Sequence, residues 1–221
     1  MPDLTPAALA SKVCRLHDAA LAAAGGPPVP APLTDGQAEP LRHWIAVNHH
    51  HNASLWAEED LARRTTVGDG EIAANKRAID RHNQARNDAT ERIDEILLLQ
   101  LGLVDAATAG TPDPVSRVPA GARLNSETAG SMIDRLSILA LKIHAMRQQG
   151  ARRDVDEAHR LEAAAKPARL ERQREDLAGC LDALLADCQA GRAYFKVYRQ
   201  FKMYNDPRFN PALVAERAAA R

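Results

Sequence analysis

The chain has 221 residues, of which 29 are Lys or Arg and 29 are Asp or Glu, so its formal net charge is zero. A chain of this length can bury a substantial core as a single domain. Balanced charge argues against broad binding to nucleic acid, which needs a basic surplus or stripe. The composition therefore indicates a globular protein without a nucleic-acid partner.

The three cysteines, Cys14, Cys180 and Cys188, show no Cys-x-x-Cys spacing, which is typical of free thiols in a reducing compartment. The start of the chain lacks the charged and then apolar pattern of a signal peptide. No apolar stretch approaches the ~20 residues that a bilayer span requires. We therefore expect a cytoplasmic protein with no membrane span.

In the first half of the chain, the pattern predicts three helices. Residues 4–24 are rich in Ala and Leu and end at Gly-Gly-Pro-Pro, which stops a helix and opens a Pro-rich connector. A second helix is predicted to begin between residues 35 and 39 and to end near 64. After a turn, the third is predicted over about 70–101.

The second half begins with a long loop, about 101–125, rich in Pro and Gly. Asn125 or Ser126 is the expected cap of the fourth helix. A fifth helix is predicted over about 154–190, with a break or kink at Pro167. The stretch RAYFKVYRQFKMYNDP is interpreted as a last helix that ends before Pro207.

These elements predict an all-α fold, an antiparallel bundle of five or six helices with one long loop. We divide the chain into an N-terminal helix and connector (1–33), one bundle domain (34–211) and a C-terminal tail (212–221).

The third predicted helix has an apolar stripe that polar residues interrupt. In KRAIDRHNQARNDATERID (76–94), Ile79 and Ile93 lie on one helical face, and so do Asn83, Arg86 and Thr90. An ordinary core would carry Leu or Ala at those three positions. The spacing predicts a polar seam inside the bundle.

An antiparallel hairpin of helices two and three makes facing residue numbers sum to about 135, because both helices rise equally per residue. The predicted opposing pairs are Glu59 with Lys76, Leu55 with Ile79, His51 with Asn83 and Asn48 with Arg86. Such a seam either fixes register as a closed polar network or surrounds a ligand pocket.

For the ligand-pocket hypothesis, the bound molecule is anionic, and the predicted ligand-binding residues include Asn48 and His51 of the seam. The anion would be neutralised by four cations, Lys76, Arg86, Arg135 and Lys202. Asn83 and Asn87 would bind hydroxyl groups. Glu59 or Asp80 would act as a base or hold Mg²⁺, so the two are the candidate catalytic residues.

Metal binding by histidine is not predicted, because the successive residues of HHH (49–51) point ~100° apart on a helix. Glu91 and Asp94 lie side by side and could hold Mg²⁺, as carboxylates do in all-α nucleotide pyrophosphatases. Ala62 stands where the first helix motif of those enzymes has an acid. We predict no protein-bound transition metal and leave Mg²⁺ as a candidate cofactor.

Four ordered blocks resemble a bacterial family, domain of unknown function 4254: NASLWAEEDLAR, IAANKRAIDRHNQARNDATERID, SETAGSMIDRLSILALKI and QFKMYNDPRFNP. The resemblance covers about residues 40–211. The chain departs from the family pattern at Ala57, where a histidine is common, and at Ala129, where proline is common. The resemblance implies an association with surface-polysaccharide glycosyltransferases, since relatives are often encoded beside them.

Three functional hypotheses follow. The first is an accessory protein of glycoconjugate or surface-polysaccharide synthesis that binds a phosphorylated or nucleotide-sugar-like molecule in its polar interior. The second is an interaction module that docks a glycosyltransferase or itself through the aromatic stripe of a helix over 194–204. The third is a Mg²⁺-dependent nucleotide pyrophosphatase. Whether the protein is an enzyme stays open, and a homodimer is expected because symmetric dimers are common.

Overall fold

The computed structural model describes residues 4–33, 40–199 and 208–219. These residues form seven helices and two short strands: α1 Leu9–Ala22, α2 Pro40–Ala62, α3 Asp69–Gln100, β1 Arg123–Leu124, α4 Ala129–Ala151, α5 Glu157–Ala164, α6 Pro167–Gln189, β2 Ala193–Tyr194 and α7 Pro211–Ala219. Helices α1 to α6 pack as a bundle. The predicted all-α class is confirmed.

Helices α2 and α3 make the most extensive contact in the bundle. Three side-chain pairs show that they run antiparallel: Asn75 donates to Glu58 (2.7 Å), the Nδ1 atoms of His51 and His82 lie 3.0 Å apart, and Asn48 donates to Thr90 (3.2 Å). The predicted hairpin is therefore confirmed.

One of the predicted pairings across this hairpin does not form, and a second is displaced by one residue. Glu59 forms an ion pair with Arg63 (3.1 Å), and Lys76 forms one with Asp80. Both pairs join residues four apart in sequence, one within α3 and one at the end of α2, a spacing at which side chains are neighbours. His51 meets His82, one residue before Asn83, near which it is predicted to lie.

The start of α4 is fastened to α3. Thr128, rather than the predicted Asn125 or Ser126, caps the helix by accepting from the Ser131 N–H. The Gly130 N–H donates to the buried Asp94 carboxylate at 2.6 Å. A Cβ on Gly130 would lie 2.6 Å from the Thr90 carbonyl oxygen, so only glycine allows this approach. Ala129 is the first helical residue, a position that proline favours.

The predicted fifth helix is two helices. The chain leaves α5 at Ala164 and enters α6 at Pro167, which is the first helical residue of α6. Proline has no N–H to donate and fixes φ near the helical value, so it suits this position. The break at Pro167 was one of the two predicted outcomes, and Gly191 ends the following turn with φ of +70°.

The last predicted helix is wrong for the residues that the structure describes. Ala193 and Tyr194 form β2, which pairs in parallel with β1, and residues 195–199 have no helical structure. Ala193, Phe195 and Val197 are buried, whereas Tyr198 is 54% exposed. Burial therefore alternates with a period of two, as in a strand. The predicted helical stripe does not form over residues 194–199, and Phe201 lies outside the described residues.

The predicted long loop is confirmed over residues 101–122, and Arg199 anchors it to α3. The Arg199 guanidinium contacts Glu91 at 3.0 Å and also binds the carboxylate of Glu95, which is buried. It reaches the loop through the carbonyl of Thr111 at 3.2 Å. One guanidinium thus joins the segment after β2, the loop and α3.

Helix α1 packs alongside α4 and α6 with Leu9, Val13 and Leu21 buried. Its N-terminal Ala10 N–H donates to Asp182 of α6 at 3.0 Å, and Arg174 of α6 bonds Asp18 through both terminal nitrogens. Among the helices of the described ranges, none combines the length and apolar character of a membrane-spanning segment.

Candidate functional site

A polar network joins α2, α3 and α4 in the interior, and Asp134 is its centre. Asn48 and Asn52 of α2 both donate to the Asp134 carboxylate, at 2.8 and 2.9 Å. Asn48 also donates to Thr90 of α3, and Asn52 donates to Ser137 of α4 at 3.0 Å. Both asparagines are buried. This part of the seam is closed, because its members satisfy one another.

Arg86 stands at the edge of this network and is only partly satisfied. Its Nη1 lies 3.8 Å from Asp134, and its Nη2 donates to the side chain of Asn87 at 3.0 Å. Its Nε is buried and has no acceptor within the described residues. The guanidinium is therefore held in place while one buried donor has no partner in the described residues.

A pocket of about 420 Å³ opens beside Arg86, between α2, α3 and α4. We call it the α2–α4 pocket. Its floor is apolar, formed by Leu55, Ile138 and Leu141. Asn52 of the network also reaches it, and its other polar and aromatic lining residues are Trp56, Glu59, Asp60, Arg63, Asn83 and Arg86.

Several of these lining groups have bonding capacity to spare. The Asn83 side chain makes no hydrogen bond within the described part of the chain, and the Trp56 side chain is 36% exposed. Arg63 pairs with Glu59. The four charged lining residues are two cations and two carboxylates, so the pocket is neutral as a whole with positive charge concentrated at Arg63 and Arg86.

The structure places three of the predicted site residues, Glu59, Asn83 and Arg86, in the α2–α4 pocket. Asn48 lies behind it in the closed network. Asn87 accepts from Arg86 and so helps to hold it.

The remaining predicted site residues lie elsewhere. Lys76 and Asp80 pair with each other on the exposed side of α3. His51 contacts His82, and burial lowers the pKa of His51 to about 4. Arg135 pairs with Glu127 in a second pocket, on the other side of α4. Lys202 lies outside the described residues.

Sequence reasoning missed Asp134, Asn52 and Ser137. Asn48 and Asn52 are four residues apart and share a helical face, as Asp134 and Ser137 do at a spacing of three. That spacing was the available signal. Helix α4 also carries a strong apolar stripe, and that stripe is a more prominent pattern in the sequence than the spacing of two polar residues.

A second buried polar group lies where α1 crosses α2. The rings of His17 and His49 stack with centroids 4.5 Å apart, and His49 Nδ1 lies 2.7 Å from Ser137 Oγ. Neither ring nitrogen of His17 has a partner within the described residues. Burial lowers the pKa of His17 well below its usual range and that of His49 to about 4.

The carboxylates considered for Mg²⁺ have structural partners. Glu91 binds Arg199, and Asp94 accepts from Gly130. Burial raises the pKa of Asp94 to about 7, although the bonds from Thr128 and Gly130 act in the opposite direction. Among the described residues, no group of three or more His, Cys, Asp or Glu side chains is arranged to hold a metal ion.

The fold and the pocket define an all-α bundle protein with a closed polar network beside an open polar pocket. The chain belongs to the DUF4254 family, described as proteins of unknown function, whose family model matches residues 42–197. That range contains the Asp134 network and every lining residue of the α2–α4 pocket. No curated protein and no solved structure matches the chain.

Proposed function

We propose that the α2–α4 pocket binds a small hydroxylated molecule that carries an anionic group, such as a sugar phosphate or a nucleotide sugar. The observation that carries the proposal is Arg86, which Asp134 and Asn87 hold at the pocket wall while its buried Nε lacks an acceptor. Buried donors without a partner are rare and costly in folded proteins, so a ligand oxygen would supply what is missing.

Each lining group suits one part of such a ligand. Arg86 and Arg63 offer planar guanidinium groups to a phosphate or carboxylate. Asn83 can both donate to and accept from hydroxyl groups, and Asp60 can accept from them. The exposed ring of Trp56 offers an apolar face against which a sugar ring or a base packs. The volume of about 420 Å³ is within the range of small-molecule sites.

Within this proposal, Glu59 has a role as general base or as a Mg²⁺ ligand once the anion has drawn Arg63 away from it. The ion pair between Glu59 and Arg63 is mostly solvent-exposed and therefore weak, so exchanging it costs little. If bound nucleotide is cleaved with release of phosphate or pyrophosphate, Glu59→Gln should stop the cleavage and leave binding intact.

The biological setting is also a proposal. We infer an accessory role in glycoconjugate or surface-polysaccharide synthesis, with a glycosyltransferase as partner, from the family resemblance and from the ligand chemistry of the pocket. A cytoplasmic location accords with Cys14, Cys180 and Cys188, which form no disulfide. A homodimer remains an expectation from the frequency of symmetric dimers.

The direct test is thermal unfolding with UDP-glucose, glucose 1-phosphate and inorganic phosphate, each with and without Mg²⁺. A ligand at 100 times its Kd stabilises the folded state by about 2.7 kcal/mol. We expect stabilisation by at least one sugar-containing ligand, and its loss when Asn83→Leu is combined with Arg86→Leu. Gln84→Leu, next to Asn83 on the same helix, is the matched control. If no ligand shifts the wild-type transition, the proposal fails.

The same double variant distinguishes the hypothesis of a ligand-binding protein from that of an interaction module. A docking protein that uses another surface would keep its partner when Asn83 and Arg86 are both leucine, whereas small-molecule binding in the α2–α4 pocket would disappear. Partner binding that persists without ligand binding would therefore support the interaction module.

A further inference from the structure

A second pocket lies on the opposite side of α4 from the proposed ligand site, between α4 and α6. Its volume is about 680 Å³. We call it the α4–α6 pocket. Ile138, Leu139 and Leu177 form its apolar floor. Residues 173, 176, 177 and 180 of α6 share one helical face, as 135, 138, 139 and 142 of α4 do, so the two faces form the walls.

The two helices run antiparallel, and one ion pair shows their register. Arg147 of α4 meets Glu171 of α6 at 2.6 Å. Lys142 precedes Arg147 by five residues, and Asp176 follows Glu171 by five, so Lys142 and Asp176 face each other across the pocket. Unlike Arg147 and Glu171, they form no ion pair. Within the described part of the chain, the side chains of Lys142, Gln173 and Asp176 make no hydrogen bond or ion pair.

This pattern distinguishes the α4–α6 pocket from the smaller one beside it. The pocket around Cys14 and Asp18 contains Arg147 and Arg174, which already bind Glu171 and Asp18. Both cations of that pocket are therefore paired. In the α4–α6 pocket, Arg135 pairs with Glu127, but Lys142 and Asp176 stand on facing helices over an apolar floor and do not meet.

We propose that the α4–α6 pocket is a second binding site and that it takes a small zwitterion, a molecule with an amine at one end and a carboxylate or phosphate at the other. The ammonium group would bind Asp176, with the Gln173 carbonyl as a further acceptor. The anionic group would bind Lys142, and Arg135 stands on the same wall. The carbon chain between them would cover Leu139 and Leu177. The site is independent of the α2–α4 pocket, from which Ile138 separates it.

Cys180 provides a natural reporter for this site, because it lies in the pocket wall and is exposed. The other two thiols are less reactive. Burial raises the pKa of Cys14, and burial raises that of Cys188 to about 11. Since the thiolate is the species that reacts, alkylation at neutral pH should fall mainly on Cys180.

The experiment measures the rate at which iodoacetamide alkylates Cys180, by peptide mass spectrometry. The zwitterionic probes are 4-aminobutyrate and phosphoethanolamine, and the single-charge probes are butylamine, butyrate and inorganic phosphate. We expect a zwitterion to protect Cys180 at a concentration about tenfold lower than any of the three single-charge probes, because both charged contacts form together. Protection should weaken about three- to tenfold in Lys142→Gln and in Asp176→Asn.

Arg147→Gln is the matched control, since it removes a cation from the same helix without touching the α4–α6 pocket, and it should leave protection unchanged. The proposal is overturned if zwitterions protect no better than the single-charge probes, or if protection persists in both Lys142→Gln and Asp176→Asn. Circular dichroism of each variant confirms folding. Because the reporter is Cys180, a negative result here leaves the α2–α4 pocket untouched, and the reverse also holds.

Discussion

Asp134 is the residue at which α2, α3 and α4 are held together. Its carboxylate accepts from Asn48 and Asn52 and neutralises Arg86. Replacing it by asparagine leaves an amide oxygen for Asn48 and Asn52 but removes the charge and turns an N–H₂ group toward the Arg86 guanidinium. Because removal of one member of a buried pair leaves the other uncompensated, Asp134→Asn should lower the free energy of unfolding by about 2–4 kcal/mol.

Urea denaturation measures this loss, and Asp80→Asn is its control. Asp80 also pairs with a cation, but both partners are more than half exposed. Exposed pairs contribute little, so Asp80→Asn should change stability by less than about 0.5 kcal/mol. Equal effects of the two substitutions would mean that Asp134 is not a structural centre.

Gly130 allows α4 to begin in contact with α3. A Cβ there would lie 2.6 Å from the Thr90 carbonyl oxygen and 2.9 Å from the Asp94 carboxylate. Gly130→Ala should therefore lower the free energy of unfolding by about 2–3 kcal/mol, in the range of overpacking effects. Gly179 of α6 has nothing within 4 Å of its Cβ position, and Gly179→Ala should raise it by about 0.5–1 kcal/mol. Thermal or urea unfolding of both variants tests whether the free energy of unfolding falls in one and rises in the other.

At this scale the sequence predicted which positions of α3 are polar on an apolar face, and Asn83 and Arg86 do reach the α2–α4 pocket. It could not predict Asp134 as their anchor. The connection between α3 and α4 is a long loop, so no turn geometry fixed which residue of α4 would stand opposite Arg86. Lys76 and Asp80 were placed in the site because helical period alone does not show that they pair with each other.

At the scale of elements, α1 packs against α2 through a buried pair of neutral histidines, His17 and His49. The groups around His17 are the His49 ring of α2, Arg174 of α6 and the neighbouring Asp18. Burial lowers the pKa of His17, and the neighbouring His49 and Arg174 lower it further. As pH falls below about 6.5, the unfolded chain binds protons that the folded chain does not. Stability should therefore decrease towards acid, by up to about 1.4 kcal/mol per pH unit for each histidine.

His17→Leu tests the origin of this acid sensitivity. The substitution removes two buried nitrogens that have no partner in the described residues, so it should leave stability at pH 7.5 unchanged or increased. Between pH 6.5 and 4.5, the free energy of unfolding should fall less steeply than in the wild type. Urea titrations at several pH values measure the slope, and an unchanged slope would show that His17 is not the group that titrates.

Arg199 holds a second element, the loop 101–122, through Glu91, Glu95 and the Thr111 carbonyl. Arg199→Gln leaves the buried Glu95 with Arg92 as its only cation among the described residues. Hydrogen exchange should become faster in residues 103–117 and 193–198 and stay unchanged in α1 and α2. Arg117→Gln breaks an exposed pair on the same loop and should leave exchange in residues 193–198 as it is. Exchange that rises throughout the chain would contradict this local role.

The error over residues 193–199 has a clear physical cause. Tyr194, Tyr198 and Phe201 are spaced at three and four, which fits a helix, but Ala193, Phe195 and Val197 also alternate as in a strand. A short amphipathic segment satisfies both periods. Tertiary pairing decides between helix and strand here, because β1 supplies the partner strand. No local feature of the sequence reveals that pairing. The long helices α2 and α3 presented no such ambiguity.

At the scale of the whole molecule, α4 separates two pockets and supports both. The α2–α4 pocket lies against one side of it, the α4–α6 pocket lies against the other, and Ile138 belongs to both walls. The bundle class and the order of the helices could be predicted from hydrophobic periodicity and from helix-breaking residues. The division into two pockets did not, because it depends on how α6 packs against α4, and sequence spacing within one helix carries no such information. Arg135 was therefore assigned to the same site as Arg86, although it faces α6.

The central claim is that a hydroxylated anion occupies the α2–α4 pocket against Trp56, and the fluorescence of that side chain tests it most directly. The chain has two tryptophans, and Trp44→Phe leaves Trp56 as the sole reporter. Titration with UDP-glucose or glucose 1-phosphate should change its emission saturably, and Asn83→Leu with Arg86→Leu should remove the change. Emission that stays constant with every such ligand, or that changes equally in the double variant, would contradict the account.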